Sequence, residues 1–137
     1  ALMPSFAGPK ELAKMKKTRS LGESFLCALA GVVYAFKTQR NIKIHFSAAI
    51  IVVLLSFILK LSISEILAIS LTVTMVLVAE MINTAIETVV DMYTTEYHPL
   101  AKAAKNVAAG AVLISAVNAV IVGYIVFFKK IIMFLNM

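Results

Sequence analysis

Residues 106–128 read NVAAGAVLISAVNAVIVGYIVFF, a run of 23 positions without a formally charged side chain. At 1.5 Å per residue, a helix of this length measures about 35 Å, which is enough to cross a bilayer with some tilt. The rest of the chain is similarly apolar, because 61% of its 137 residues are hydrophobic and only 15% are charged. A soluble domain usually has about 45–50% apolar and about 25% charged residues. The sequence therefore predicts a small all-α integral membrane protein.

Two further apolar stretches precede this run. The first covers residues 44–64 and has no charged side chain before Lys60, whose amine can reach the membrane surface along its apolar stem. The second covers residues 66–90 and is interrupted by Glu80 and Glu87. We therefore predict transmembrane helices at 44–64, 66–90 and 106–128. They belong to a single membrane domain at 20–130. A C-terminal tail at 131–137 follows this domain.

The N-terminal part of the chain has a different character. Residues 1–19 are polar and basic, and we expect them to form an arm. We expect no cleaved signal peptide, since no apolar core follows the early lysines at the usual distance. In residues 20–36 the large apolar side chains fall within an arc of about 160° at 100° per residue, whereas Ser20, Glu23 and Ser24 lie opposite. This pattern predicts an amphipathic helix lying in the membrane surface. A core helix of a soluble domain is the alternative.

The basic residues predict the orientation in the membrane. Ten of the 13 Lys and Arg residues lie before the first span or between the second and third, whereas Lys60, Lys129 and Lys130 lie on the other side. The positive-inside rule then predicts a cytoplasmic N-terminus and a C-terminus outside. The early basic residues could instead form a nucleic-acid arm. We expect no nucleic-acid partner, however, because these residues adjoin apolar spans and lack interleaved aromatic residues.

Residues 79–91, AEMINTAIETVVD, place acidic groups at membrane depth. With Glu80 at 0° on a helical wheel, Asn83 lies at about −60°, Glu87 at about −20° and Asp91 at about +20°. The four polar groups would form one stripe about 16 Å long at the cytoplasmic end of the second span. A charge at the bilayer centre costs about 3 kcal/mol or more, so acids at this depth indicate a partner, a metal or a function.

The stripe can be interpreted in three ways. Two carboxylates and an amide near the membrane surface suit a divalent cation, and the nearby Lys102 and Lys105 suit phosphate. A buried polar network that joins helices, or a pathway for protons or ions, would also place acids in the membrane. We expect no zinc site, because His45 and His98 have no ligand spacing with each other or with Cys27. The chain also lacks a Gly-rich phosphate loop and a nucleophile elbow.

Small residues recur in the third predicted span. Ala111, Ser115, Ala119 and Gly123 follow one another at four-residue intervals. Small side chains at this spacing allow helix backbones to approach closely in lipid. We interpret them as a helix–helix seam that can lie between subunits, and chance in an Ala-rich helix is the alternative.

Several of these segments resemble a known family. EMINTAIETVVD at 80–91, EYH at 96–98 and AKAAKNVAAGAVL at 101–113 are similar to the bacterial integral-membrane diacylglycerol kinases. TQRN at 38–41 and His45 resemble the Gram-positive branch of that family, whose members act as undecaprenol kinases.

The resemblance covers about residues 20–128 and implies a homotrimer in a bacterial plasma membrane. Each chain would have a surface helix and three transmembrane helices. The resemblance also implies Mg·ATP as phosphate donor and a lipid alcohol that enters from the bilayer. Undecaprenol is the expected substrate, and diacylglycerol, which would give phosphatidic acid, is the alternative. A non-enzymatic channel or scaffold built on the polar network is the alternative of another class.

Carried over by position, the resemblance also implies a role for each polar residue. It implies that Glu80 is the general base acting on the lipid hydroxyl, that Asn83 is an orienting amide and that Glu87 is a metal ligand. The implied ATP-binding positions are Lys105 at the phosphates, the adjacent Asn106, and Asp91, Glu96 and His98 at the nucleoside.

Two positions depart from the family pattern. The family has Glu at the position of Gln39, where it binds the metal together with Glu87, and Asp at the position of Asn106. An amide oxygen is a weaker ligand for Mg²⁺ than a carboxylate. We therefore expect this chain to bind Mg·ATP poorly or to turn over slowly. Two such exchanges at two functional positions favour engineered or inactivating substitutions over drift.

Overall fold

The computed structural model describes residues 20–137, and all regular structure within this range is helical. Four helices follow one another: α1 at Leu21–Thr38, α2 at Arg40–Ile58, α3 at Ile63–Tyr93 and α4 at Pro99–Leu135. The prediction of an all-α chain is thus confirmed for these residues, whereas the predicted arm at 1–19 lies outside them. The chain divides into two compact units between Val33 and Tyr34, within α1.

All four helices are long and apolar enough to cross a membrane. α2, α3 and α4 contain most of the three predicted spans, and α4 continues to Leu135, through most of the predicted tail. α1 meets the same criterion with the lowest hydropathy of the four. Length and composition therefore allow α1 to cross as well, and its location in the membrane surface stays a prediction.

A tight turn separates α2 from α3 where the first span was predicted to continue to residue 64. The N–H of Lys60 donates to the carbonyl of Phe57 at 3.3 Å, and the N–H of Leu61 donates to the carbonyl of Ser56 at 3.1 Å. This pair of bonds is the Schellman motif, which usually has Gly in its left-handed position. Lys60 occupies that position here with a φ of 49°. The turn was missed because no Gly or Pro marks it.

α3 begins with a reciprocal cap. The Ser62 side chain accepts a hydrogen bond from the Glu65 N–H, and the Glu65 carboxylate accepts one from the Ser62 N–H at 2.7 Å. These two bonds satisfy backbone donors that a helix start leaves unpaired. Lys130 Nζ lies 3.3 Å from Glu65 Oε2 and so joins α4 to the start of α3. Lys60 and Lys130, which the charge pattern assigns to one side of the membrane, thus lie at the same end of the helices.

α3 is the central helix of the second unit, since it packs along both α2 and α4. Its buried residues lie on one face of the helix, three or four positions apart except for the adjacent Asn83 and Thr84, and are Ile69, Thr72, Val76, Glu80, Asn83 and Thr84. The hydroxyls of Thr72 and Thr84 donate to carbonyls four residues earlier in the same helix, so both are satisfied locally. Most large apolar side chains of residues 20–137 are exposed, as expected for surfaces that face lipid or other chains.

Candidate active site

The polar stripe of α3 runs from the buried part of the helix to its exposed end. Glu80 is only 2% exposed and Asn83 is 7% exposed. Glu87 is half-buried, and the side chain of Asp91 is 65% exposed. Because α3 is unbroken from Ile63 to Tyr93, these groups follow one another along about 16 Å of one helix face.

Glu80 contacts His45 of α2. His45 Nε2 lies 3.2 Å from Glu80 Oε1, and the His45 side chain is 26% exposed. The two groups are close, but the angles do not make a directed hydrogen bond, and Glu80 Oε1 is without a hydrogen-bond partner among the described residues. A buried carboxyl group with an unsatisfied oxygen is costly. Glu80 is therefore a candidate for a chemical role rather than a packing role.

Glu87 accepts hydrogen bonds at both carboxylate oxygens. Asn83 Nδ2 donates to Oε1 at 3.0 Å, and Gln39 Nε2 donates to Oε2 at 3.2 Å. Gln39 is the N-cap residue of α2, but its side chain makes no capping hydrogen bond. The stripe is thus attached to α2 at two points, by Gln39 at Glu87 and by His45 at Glu80.

The groups around Glu87 have oxygen donors suited to a hard cation. Asn83 Oδ1 is buried and without a hydrogen-bond partner among residues 20–137. Together with the Glu87 carboxylate it offers the oxygen chemistry of a Mg²⁺ site, and Mg²⁺ is commonly bound through one or two carboxylates and the phosphates of a substrate. In the same range, no group of three His, Cys, Asp or Glu side chains is placed to hold a metal. The residues therefore fit Mg²⁺ as a partial shell that phosphate would complete.

A polar cavity of about 500 Å³ lies where the stripe ends. It is formed by the end of α3, the connection at residues 94–98 and the start of α4, and its size is within the usual range of small-molecule sites. The structure brings all five predicted ATP-binding positions to its lining, namely Asp91, Glu96, His98, Lys105 and Asn106. Their roles stay a prediction.

The cations of the cavity have different partners. Lys105 Nζ makes an ion pair with Asp91 Oδ1, so one of the two nearby lysines does pair with an acid of the stripe. Lys102 Nζ instead lies 5.9 Å from the centre of the Tyr97 ring. The Lys105 side chain is 38% exposed, which leaves its amine accessible to an anionic ligand in the cavity.

The connection between α3 and α4 is shaped by local hydrogen bonds. Thr94 Oγ1 donates to the Glu96 carbonyl and accepts from the Glu96 N–H, both at 3.1 Å. His98 Nδ1 accepts from the Leu100 N–H at 3.2 Å and so caps α4, while Pro99 occupies the first turn. His98 therefore has a structural role at Nδ1 in addition to the predicted role in nucleoside binding.

Comparison with known proteins decides the family. A sequence model described as prokaryotic diacylglycerol kinase matches residues 26–127. The chain belongs to the prokaryotic diacylglycerol kinase family. The resemblance seen in the motifs is thus confirmed, and with its apolar helices the chain is a multi-pass membrane protein.

Some relatives within the family are named diacylglycerol kinase and one is named undecaprenol kinase. A diacylglycerol kinase of Synechocystis sp. is 48% identical over 101 residues, which cover 73% of this chain and 58% of that protein. An undecaprenol kinase of Bacillus subtilis is 43% identical over 108 residues, which cover 79% of this chain and 88% of that protein. A diacylglycerol kinase of Haemophilus influenzae is 33% identical over 102 residues, or 74% and 86% of the two chains.

A larger cavity of this diacylglycerol kinase family member shares no lining residue with the polar cavity. It measures about 830 Å³, is formed by apolar side chains of α3 and α4, and includes Ala111 of the small-residue stripe. Ser115 of the same stripe is buried within the chain, whereas a Cβ added to Gly123 would meet nothing within 4 Å. A seam between subunits along this stripe stays a prediction.

His45 lies at the site although the sequence predicted no role for it there; it was rejected as a zinc ligand and otherwise marked only the branch resemblance. Its partner Glu80 lies on another helix and far along the chain, so helical periodicity cannot connect them. The branch resemblance at His45 was the one signal that set this position apart.

Proposed function

We propose that the chain is a lipid kinase that transfers the γ-phosphate of Mg·ATP to undecaprenol, giving undecaprenyl phosphate for the supply of cell-wall carrier lipid. The observation that carries this proposal is the continuous polar stripe, which connects the buried carboxyl of Glu80 with the polar cavity beyond Asp91. One substrate of such an enzyme is in lipid and the other in water. A site for both must therefore cross the membrane boundary, and a stripe that runs from buried Glu80 to exposed Asp91 suits such a position.

In this proposal, the reaction needs one proton transfer and one phosphoryl transfer. Glu80 accepts the proton of the lipid hydroxyl, whose oxygen forms a bond to the γ-phosphorus while the bond to the departing ADP breaks. Asn83, one turn further along α3, orients the reacting groups. Phosphoryl transfer depends mainly on positioning and on stabilising charge, which the low-dielectric surroundings of Glu80 strengthen.

The remaining polar residues would bind the donor. Glu87 and Asn83 would hold Mg²⁺, which when bound neutralises charge on the β- and γ-phosphate oxygens. Lys105 would bind the phosphates with Asn106 beside it. The nucleoside would contact three further positions on the cavity wall, namely Asp91, Glu96 and His98.

The choice between undecaprenol and diacylglycerol as the proposed substrate rests on relatives that carry one or the other name. The Bacillus subtilis undecaprenol kinase matches over 88% of its length, whereas the more identical Synechocystis diacylglycerol kinase matches over 58%. Fuller coverage, together with the branch resemblance at TQRN and His45, supports undecaprenol as substrate. Diacylglycerol is the alternative.

We also propose the assembly and the orientation that the family resemblance and the charge pattern imply. The chain forms a homotrimer in the bacterial plasma membrane with its N-terminus in the cytoplasm. Support comes from the many large apolar side chains that a single chain leaves exposed, since these can contact lipid or a neighbouring subunit. Lys105 and Asp91 lie at the end of the helices opposite Lys60 and Lys130, in agreement with the charge pattern.

The sequence as it stands should be an impaired kinase. Gln39 donates an N–H to Glu87, and its amide oxygen would be a weaker ligand for Mg²⁺ than the carboxylate of the family pattern. Asn106 likewise adds no charge to the cavity that contains Lys105. A weaker Mg²⁺ site lowers the affinity for Mg·ATP or the rate of transfer.

The test is a phosphotransfer assay in mixed micelles with radiolabelled ATP and Mg²⁺. Undecaprenol and diacylglycerol are compared for this chain and for the double variant Gln39→Glu, Asn106→Asp. We expect the double variant to phosphorylate undecaprenol preferentially and the unaltered chain to do so slowly. A preference for diacylglycerol would make diacylglycerol the substrate in place of undecaprenol. Absence of phosphate transfer to either lipid by both proteins would reject the kinase and leave a non-enzymatic channel or scaffold.

A further inference from the structure

The contact between His45 and Glu80 has a place in the proposed reaction. We infer that His45 is a positioning residue, which holds the Glu80 carboxylate through its Nε2 so that the second carboxylate oxygen faces the lipid hydroxyl. This inference rests on the proposed function and adds a residue from α2 to it. Nε2 and Oε1 are 3.2 Å apart, and Glu80 is 2% exposed.

The geometry of α2 and α3 supports this assignment. Gln39 and His45 are separated by about 9 Å of helix rise, and their partners Glu87 and Glu80 by about 10 Å. Lower numbers on α2 meet higher numbers on α3, as in an antiparallel pair. Glu80 and Glu87 of α3 therefore each meet one nitrogen from α2, which His45 provides for Glu80 and Gln39 for Glu87.

Burial explains why such a contact is needed. Among the described residues, His45 has the only basic side chain within ion-pair distance of Glu80. A carboxylate without a fixed partner can rotate, and a general base that rotates spends less time in the reactive orientation. A small turn of the imidazole would align the Nε2–H with Oε1 and remove this freedom.

The proton balance makes His45 a positioning residue and not a catalytic one. Once aligned, a neutral imidazole with its proton on Nε2 would donate to Glu80 Oε1 before, during and after the transfer. The hydroxyl proton passes to Oε2, the lipid oxygen forms its bond to the γ-phosphorus, and ADP leaves with the electrons of the broken bond. His45 neither gains nor loses a proton in this step.

The kinetic test uses His45→Phe and His45→Gln in the active double variant Gln39→Glu, Asn106→Asp. Phe retains the ring volume without a donor, whereas Gln places an N–H near the position of Nε2. We expect kcat to fall roughly 10- to 100-fold in the Phe variant, while the KM for ATP changes less than about threefold. In the Gln variant we expect kcat to recover. Ser47→Ala, also on α2, should leave kcat unchanged. Full kcat in the Phe variant would overturn the inference.

A second measurement is independent of activity. The chain has two histidines, so ¹⁵N spectra of the imidazole nitrogens in micelles contain two sets of side-chain signals, and His45→Gln identifies those of His45. We expect His45 to have its proton on Nε2, and Glu80→Leu to convert it to a mixture of the two tautomers. Identical His45 signals in both proteins would contradict the contact.

The two measurements separate failure of the inference from failure of the proposed function. If the double variant phosphorylates lipid and His45→Phe keeps its kcat, only the positioning role is lost. If neither the chain nor the double variant transfers phosphate, the kinase is rejected and the positioning role with it. The tautomer spectra then show whether the contact remains as a structural feature.

Discussion

Gln39 Nε2 donates a hydrogen bond to Glu87 Oε2 at 3.2 Å, across 48 residues of sequence. The bond joins the start of α2 to the part of the α3 stripe that lies nearer the polar cavity. A glutamate at position 39 would place its carboxylate beside that of Glu87. Two carboxylates at this distance repel one another unless a cation lies between them.

The substitution Gln39→Glu should therefore make the thermal stability of the protein depend on Mg²⁺. Without Mg²⁺ the two carboxylates destabilise the contact between α2 and α3, and binding of the ion to the folded state restores it. The melting temperature in detergent, followed by circular dichroism with and without Mg²⁺, measures this effect. Gln39→Met removes the donor without adding charge and serves as the control. An equal response to Mg²⁺ in both variants would reject a metal site here.

The substitution Glu80→Gln should lower kcat by about 10²- to 10⁴-fold, because it removes the group that accepts the lipid proton while retaining the volume of the side chain. The lipid-dependent release of ADP by the active double variant measures this loss. Glu65→Gln, at the far end of α3, is the matched control and should retain activity. If Glu80→Gln changed only the stability of the oligomer, the stripe would be a structural network.

The substitution Lys105→Met should raise the KM for ATP about tenfold or more, since it removes the charge at the phosphates and leaves Asp91 without its ion-pair partner. Lys102→Met is the comparison, because its amine lies over the Tyr97 ring and not against an acid. We expect the effect of Lys102→Met to be smaller. Initial rates at several ATP concentrations distinguish the two, and equal KM values would remove Lys105 from the phosphate site.

The substitution Lys60→Gly should stabilise the turn between α2 and α3. The left-handed conformation costs a residue with a Cβ about 1–2 kcal/mol, and the greater freedom of Gly in the unfolded chain offsets about 0.5–1 kcal/mol of this gain. We expect a higher melting temperature for Lys60→Gly and a lower one for Lys60→Val, because a branched Cβ fits this conformation poorly. Shifts in the same direction for both would show that backbone conformation does not limit stability here.

The sequence by itself determined the class of the protein, the number of apolar helices and the composition of the polar stripe. These follow from hydrophobic runs and from a period of 3.6 residues, which are local properties of a chain. The family resemblance implied the grouping of Asp91, Glu96, His98, Lys105 and Asn106, and these positions lie within one short stretch around a turn.

The turn at Lys60 was not accessible in the same way. A lysine at the end of an apolar run is equally compatible with continuation of the helix, its amine reaching the membrane surface. The backbone decides between the two, because the Schellman hydrogen bonds and the Ser62 cap end one helix and begin the next.

Only the tertiary structure decided which side chains meet across helices. Gln39 reaches Glu87 and His45 reaches Glu80 because α2 packs antiparallel to α3 in one register, and a different register would pair other residues. Register depends on the packing of whole helix faces, which no local pattern encodes. The acids of the stripe could therefore be named from the sequence, whereas the partners that orient them required the fold.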